Sequence, residues 1–442
     1  MKLWQKDKTS KKEVENFTIG RDPEFDLILA PFDVTGSMAH AIMLESIDLL
    51  TAEELRMLKK GLKEIREEIR QGTFSIAPGV EDVHSQVEFL LTERYGDVGK
   101  KLHSGRSRND QVLVDLKLYY RQAIRQSLEE VNDLFQLLLQ LAEKHKNDLM
   151  PGYTHTQLAM PSSFGLWFGS LAESLAEDMH LWQAAYALVN RNPLGSAAGY
   201  GSSFPLNRSL TTELLGFADM HYNVINAQNS RGKTEKSLSF ALSATAGTLN
   251  RLATDSIQYM NQHFGFISFP DELTTGSSIM PHKKNPDVFE LVRAKTNQIQ
   301  SYPQSILMLL TNLGTGYHRD LQLLKETIFP AFEQLVDCLK ISRLMLENIS
   351  VQQDLLDDEK FAYLFSVEEV NRLVLGGMPF RDAYKKVGMD IENERFSPGK
   401  RVQHTHEGSI GNLCLDAIKS KMEGLALDFQ PALQAEERLW ER

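Results

Sequence analysis

Five short stretches of this chain gather side chains able to move protons and hold anions. The densest is Gly276-Ser277-Ser278-Ile279-Met280-Pro281-His282-Lys283-Lys284-Asn285-Pro286-Asp287. Asn285 is a good N-cap, Pro286 suits a first helical position, and Asp287 complements the positive end of a helix dipole. A helix is therefore expected from 286, with a loop in front whose backbone N–H groups and lysines favour an anion. A capped surface turn would account for Asn-Pro-Asp, but not for the Gly-Ser-Ser-x-Met-Pro-x-Lys around it.

The other four stretches are sparser. Glu81-Asp82-Val83-His84 places two acids and a histidine at a helix start, where acids are ordinary first-turn residues. His103 to Gln111 carries Arg106 and Arg108 either side of a serine, able to clamp carboxylates bidentately, with Asn109 and Gln111 as recognition-type amides. The plainer reading of that stretch is a solvated charge cluster. Pro151-Gly152-Tyr153-Thr154-His155-Thr156-Gln157 sets a histidine between hydroxyls, a candidate acid/base group, although structural histidines at helix ends are commoner. Tyr317 to Lys325 unites a phenol, the Gln322 amide and a cation.

Other chemistries are excluded by pattern. Gly232-Lys233-Thr234 resembles the end of a phosphate loop, but Ala227 stands where its first glycine should be. His404-Thr405-His406-Glu407 lacks further ligands, so no metal site is expected. There is no Gly-x-Ser-x-Gly elbow.

The elements that must position these groups read as helices. Ala52–Gln71 is amphipathic behind Thr51 as N-cap, and Val83–Tyr95 follows Asp82. From Asp110 to Met150 there is neither glycine nor proline, and Ile124, Leu128, Val131, Phe135, Leu138 and Ala142 fall on one helical stripe. One helix over 110–150 would be ~60 Å long. Segments 162–189, 234–264, 286–313 and 328–349 repeat the pattern. The fold class is all-α with a central bundle of five long helices, and the divisions are 1–107, 108–351 and 352–442, the last with a turn at Gly376-Gly377-Met378-Pro379. Apolar residues on more than one helix face imply burial against partner chains, hence a homo-oligomer.

Composition agrees with an ordinary globular protein: 442 residues, 42% hydrophobic and 24% charged. Lys plus Arg total 48 against 59 acids, net −11, which argues against nucleic-acid partners. Cys338 and Cys414 are too few and too far apart for a disulfide framework, so buried free thiols and a cytoplasmic compartment are expected. The N-terminal lysines read as a solvated arm with no apolar signal-peptide core, and no uninterrupted apolar stretch is long enough for a membrane span.

The 276–287 run resembles the signature loop of the fumarase/aspartase superfamily. Together with Glu-Asp-Val-His at 81–84, His-Ser-Gly-Arg-Ser-Arg-Asn-Asp-Gln at 103–111, Pro-Gly-Tyr-Thr-His-x-Gln at 151–157, Tyr-x-x-Asp-Leu-Gln-x-x-Lys at 317–325 and Gly-Met-Pro-Phe-Arg-Asp-Ala at 377–383, it resembles the argininosuccinate lyase family over residues 30 to 390. The resemblance implies cleavage of 2-(N-arginino)succinate to fumarate and arginine without metal or organic cofactor. It implies Ser277 as the base, activated by Lys283, His155 as the group at the departing nitrogen, and Glu290 as its orienter; older accounts of the family reverse the first two roles. It further implies that Arg108, Asn109, Thr154, Lys283 and Asn285, with His84 nearby, hold the fumarate half. Tyr317, Gln322 and Lys325 then hold the arginine half, in homotetramers whose sites draw on three subunits.

The chain departs from the family pattern at its N-terminus, which lacks Gly-Gly-Arg-Phe, in the loop 195–203, at Gly232 and at Tyr384. These positions affect loop geometry more than proton transfer. The rival readings are a lyase acting on adenylosuccinate, which the 103–111 and 317–325 segments do not resemble, and a crystallin-like structural protein, which would not need Ser277, His155, Lys283 and Lys325 together.

Overall fold

The computed structural model describes residues 12–77, 79–276 and 278–442, and its regular structure is almost wholly helical. After a short helix at Lys12–Ile19 come α1 (Asp22–Ser46), α2 (Ala52–Arg70) and α3 (Val83–Tyr95). α2 starts where the sequence predicts: Thr51 and Glu54 exchange hydrogen bonds in a capping box. Asp82 caps α3 by accepting from the Ser85 N–H at 2.8 Å.

α1 is long and apolar enough, by length and composition, to cross a membrane. Yet 72% of its most apolar window is buried inside the protein, and Asp26, Asp33 and His40 are among its buried residues. It is apolar all round because α2, α3 and the bundle cover it on several sides.

The bundle consists of α4 (Arg108–Lys144), α5 (Phe164–Val189), α6 (Lys233–Tyr259), α7 (Asp287–Leu309) and α8 (Leu324–Glu347). The predicted stripe on α4, Ile124 to Ala142, is buried. All five helices share one core, in which the Tyr119 and Phe329 rings lie 4.1 Å apart. Buried aromatic tips find partners: Trp182 Nε1 donates to Thr245 at 3.0 Å and the Tyr120 hydroxyl to Glu235 at 3.0 Å.

Contacts between helix ends define two ends of the bundle. At the near end, Lys117 early in α4 bonds the Leu188 carbonyl late in α5 at 2.8 Å, and Arg231, just before α6, bonds the Leu321 carbonyl just before α8 at 2.8 Å. Leu310, just after α7, abuts Gly232. At the far end, Trp167 early in α5 bonds Asp255 late in α6 at 3.0 Å, and Arg343 late in α8 pairs with Asp133 late in α4.

α4 stops at Lys144, short of the predicted 150, and the 151–157 segment is a β-hairpin where a helix junction was expected. β1 (Leu149–Thr154) pairs antiparallel with β2 (Gln157–Ser163). Pro151 and Pro161 face each other there, and neither could continue a helix.

Beyond the bundle lie α9 (Ser366–Leu375), α10 (Phe380–Glu392), α11 (Leu415–Leu425) and α12 (Gln430–Glu441), with Gly377 at φ 96° in the expected turn. α12 returns to the N-terminal helices, where Leu439 and Trp440 join the core of α1–α3. Cys338 is buried as expected, whereas Cys414 is half-buried. Phe329→Ala empties the centre of the aromatic cluster and should cost about 3–5 kcal/mol, read as a lower urea midpoint at unchanged slope.

Candidate active site

The near end opens into a cleft of about 190 Å³. It brings together His84, Arg108, Asn109, Tyr317, Gln322 and Lys325 from the predicted set, and adds Asp22, Asp26, Arg231 and Arg319, which sequence reading missed. Asp22 and Asp26, four apart in the first turns of α1, share a helix face, and that spacing was the available signal.

Arg108 opens α4 behind Ser107, whose side chain caps the helix in a box with Asp110. The other oxygen of Asp110 accepts from Gly195 N at 2.9 Å and Ala197 N at 2.8 Å, so one carboxylate ties the unusual 195–203 loop to the turn that carries Arg108 and Asn109. The Arg108 fork is already occupied: Glu81 lies at 2.9 Å, Asp82 at 3.0 Å and the Ser85 hydroxyl at 2.7 Å.

Lys325 is nearly fully buried, with Nζ 2.5 Å from Asp22 and 2.7 Å from Asp26. Burial pushes the Asp22 carboxyl up against the pull of this lysine. Gln322 donates to the Thr18 and Ile19 carbonyls, at 3.2 and 3.0 Å, while Tyr317 is exposed. Within one chain, then, Arg108, Gln322 and Lys325 have internal partners; they are not open donors waiting for an anion.

The remaining predicted residues sit at the far end. Thr154 and His155 lie at the exposed tip of the hairpin. His155 and Thr156 both adopt left-handed φ, 54° and 60°, as a two-residue type I′ connection requires. Such backbone is costly for residues other than Gly, Asn or Asp, and strain of this kind concentrates at functional positions.

The signature loop starts one residue off the expectation. α7 begins at Asp287, and Asn285 does not cap it. Instead Asn285 N–H donates to the Thr275 carbonyl at 2.8 Å and its amide to the Thr275 hydroxyl at 3.3 Å, while Thr275 also bonds Asp287. These contacts pin Thr275 to Asn285 and Asp287 at the neck of the signature loop. Lys283 is exposed upon it, Glu290 is exposed in the first turn of α7, and Ser277 lies outside the described residues. Within one chain Glu290 makes no hydrogen bond to His155 among the described residues.

The two groups cannot meet in one chain. α4 has 37 residues, so ~55 Å of rod separates Arg108 from the start of the His155 hairpin. α7 has 23 residues, so ~34 Å separates the signature loop from the cleft end.

Comparison with known proteins decides the family. A family profile described as "Lyase" matches residues 4–301. Argininosuccinate lyase of Bacteroides fragilis is 60% identical over 440 residues, covering 99% of this chain and 98% of its own length. The Thermotoga neapolitana argininosuccinate lyase is 39% identical, covering 89% and 99%. The chain belongs to the argininosuccinate lyase family. It is an enzyme of the lyase class with the all-α fold of the fumarase/aspartase superfamily. Among solved structures, EDDS lyase in complex with formate matches with TM-score 0.79 at 21% identity, covering 98% of this chain and 95% of that one. A class II fumarase from Schistosoma mansoni matches at 0.68 and 16%, covering 90% of each. These two likenesses show the fold.

Lys325→Met strands Asp22 and Asp26 in a nearly dry site and should cost about 3 kcal/mol of stability at neutral pH. Protonating Asp22, whose carboxyl burial already pushes up, relieves that penalty, so the gap to wild type narrows at acidic pH. Urea titrations of both proteins at pH 7 and at acidic pH read the effect.

Proposed function

We propose that this enzyme cleaves the C–N bond of 2-(N-arginino)succinate by anti-elimination, giving fumarate and L-arginine, in a homotetramer whose sites combine the near end of one chain with far ends of others. The observation that carries this reading is the division of the predicted residues between opposite ends of a rigid bundle. The outer faces support the assembly: Leu291, Met308, Phe240 and Leu344 are exposed along the rods, and Leu291 and Leu344 share a groove with Val288, Val292 and Ile341 between α7 and α8. We assign residues 1–107, 108–351 and 352–442 to three domains and the enzyme to the cytoplasm.

The chemistry explains the residue types. The proton to be removed sits on a carbon beside a carboxylate, and its loss leaves an aci-carboxylate, a doubly charged group that needs donors placed in advance. Lys283, Asn285 and the backbone of the signature loop supply them, with Thr154 from the hairpin. Ser277 takes the proton, its alkoxide favoured by Lys283. His155, oriented by Glu290 of an adjacent chain, protonates the departing guanidinium nitrogen. Arg108, Asn109 and His84 hold the succinate half, the Arg108 fork trading an internal carboxylate for one from the substrate. Tyr317, Gln322 and Lys325 frame the arginine half.

Argininosuccinate should yield fumarate, followed by ultraviolet absorbance, and adenylosuccinate none; turnover of adenylosuccinate alone would overturn the substrate assignment. Ser277→Ala or His155→Ala should each lower kcat at least ~10²-fold, and a twofold loss would remove that residue from the mechanism. Mixing Arg108→Gln chains with Lys283→Gln chains, each inactive alone, should restore about a quarter of wild-type activity, because random assembly leaves one site in four with both ends intact. No recovery after verified subunit exchange would place each site within one chain.

A further inference from the structure

His84 lines the cleft yet is only 7% exposed, and its Nδ1 is already taken. Asp33 Oδ1 lies at 2.7 Å and Asp115 Oδ2 at 3.5 Å, both residues fully buried. Gln111 Nε2 donates to the same Asp33 oxygen at 2.9 Å. The ring atom left for the cleft is Nε2.

A divalent ion is a poor occupant of this triad. Tetrahedral ligands bonded at 2.0–2.2 Å would stand roughly 3.3 Å apart, whereas Nδ1 and Asp33 Oδ1 are in direct hydrogen-bond contact. A proton carrier is a poor description too, because such a group must lose its proton near working pH. We propose that Asp33, steadied by Gln111, is a positioning residue that fixes His84 as a permanent imidazolium with Nε2 turned to the cleft, a cation for a substrate carboxylate. This rests on the elimination reading above.

The charges around the ring agree. Burial alone would strip the imidazole of its proton, but Asp33, then Asp115 and Asp82, reverse that and hold it at about 9. Burial also works against ionising Asp33, yet His84, Arg106 and Gln111 keep it below the usual carboxylate range. Burial and the neighbouring Asp33 push Asp115 up, against the pull of His84 and Arg106. Around the ring lie Asp33 of α1, Asp82 ahead of α3, His103 in the turn before α4 and Asp115 of α4; Arg106 acts on Asp33, and Asp26 and Arg108 line the same cleft. Because the folded value lies above 6.5, this interaction stabilises the fold fully below that pH and is lost as pH rises through about 9.

The test joins kinetics with histidine-selective NMR, the His84 signal being assigned by its loss in His84→Gln. In the wild-type enzyme the signal should titrate above pH 8. In Asp33→Asn it should titrate below pH 7, with KM for argininosuccinate raised about 10-fold or more at pH 8, restored towards wild type at pH 6, and kcat changed little. Wild-type titration below pH 7 overturns the proposal, and that measurement decides even if Asp33→Asn fails to fold. An unaltered pH profile of KM in a folded Asp33→Asn, or a loss confined to kcat, overturns it as well. Wild-type turnover of argininosuccinate is the separate control, since its failure would sink the reaction assignment and leave the His84 titration standing.

Discussion

A helix cannot shorten to let its ends meet. α4 carries Arg108 and Asn109 in its first turn, and the chain leaves its last turn for the hairpin that bears His155. Each residue of that rod is held by backbone hydrogen bonds and by a buried stripe shared with four other helices, so bending it costs the core. Everything proposed about the chemistry follows from that stiffness. Groups meant for one small substrate are kept far apart within the chain, and partner chains must bring them together.

The near end shows how such a site is prepared. Lys325 between Asp22 and Asp26, Arg108 between Glu81 and Asp82, and His84 against Asp33 are cations desolvated at folding and already matched to acids. A dicarboxylate arriving there exchanges partners with cations that are already oriented and partly dry, which spares much of the ordering and desolvation cost of binding. The same arrangement makes the cleft sensitive to single losses, because a buried charge without its partner is far costlier than an exposed one. The far end is built differently, with Lys283 and His155 exposed on a pinned loop and a tight turn.

Much of this was legible in residue order. The long rods followed from apolar spacing and the absence of glycine and proline, and Thr51 and Asp82 cap the helices they were expected to cap. The hairpin at 149–163 was not legible, because Met150 and Pro151 are buried in succession and the first half of β2 is largely exposed, so neither strand shows clean two-residue alternation throughout. Asn285 was expected to cap α7 but is drawn to Thr275, ten residues back and out of reach of local rules. Asp22 and Asp26 became visible only once Lys325, some three hundred residues later, was seen between them. Local propensity reads helices and caps well; pairings made by tertiary contact need the fold.

The most direct measurement is an experimental structure of the assembled enzyme with fumarate bound. The account predicts a dicarboxylate touching Arg108 and Asn109 of one chain while His155 and the 276–285 loop reach it from neighbouring chains. Fumarate held entirely by residues of a single chain, with those far-end groups remote from it, would contradict the account.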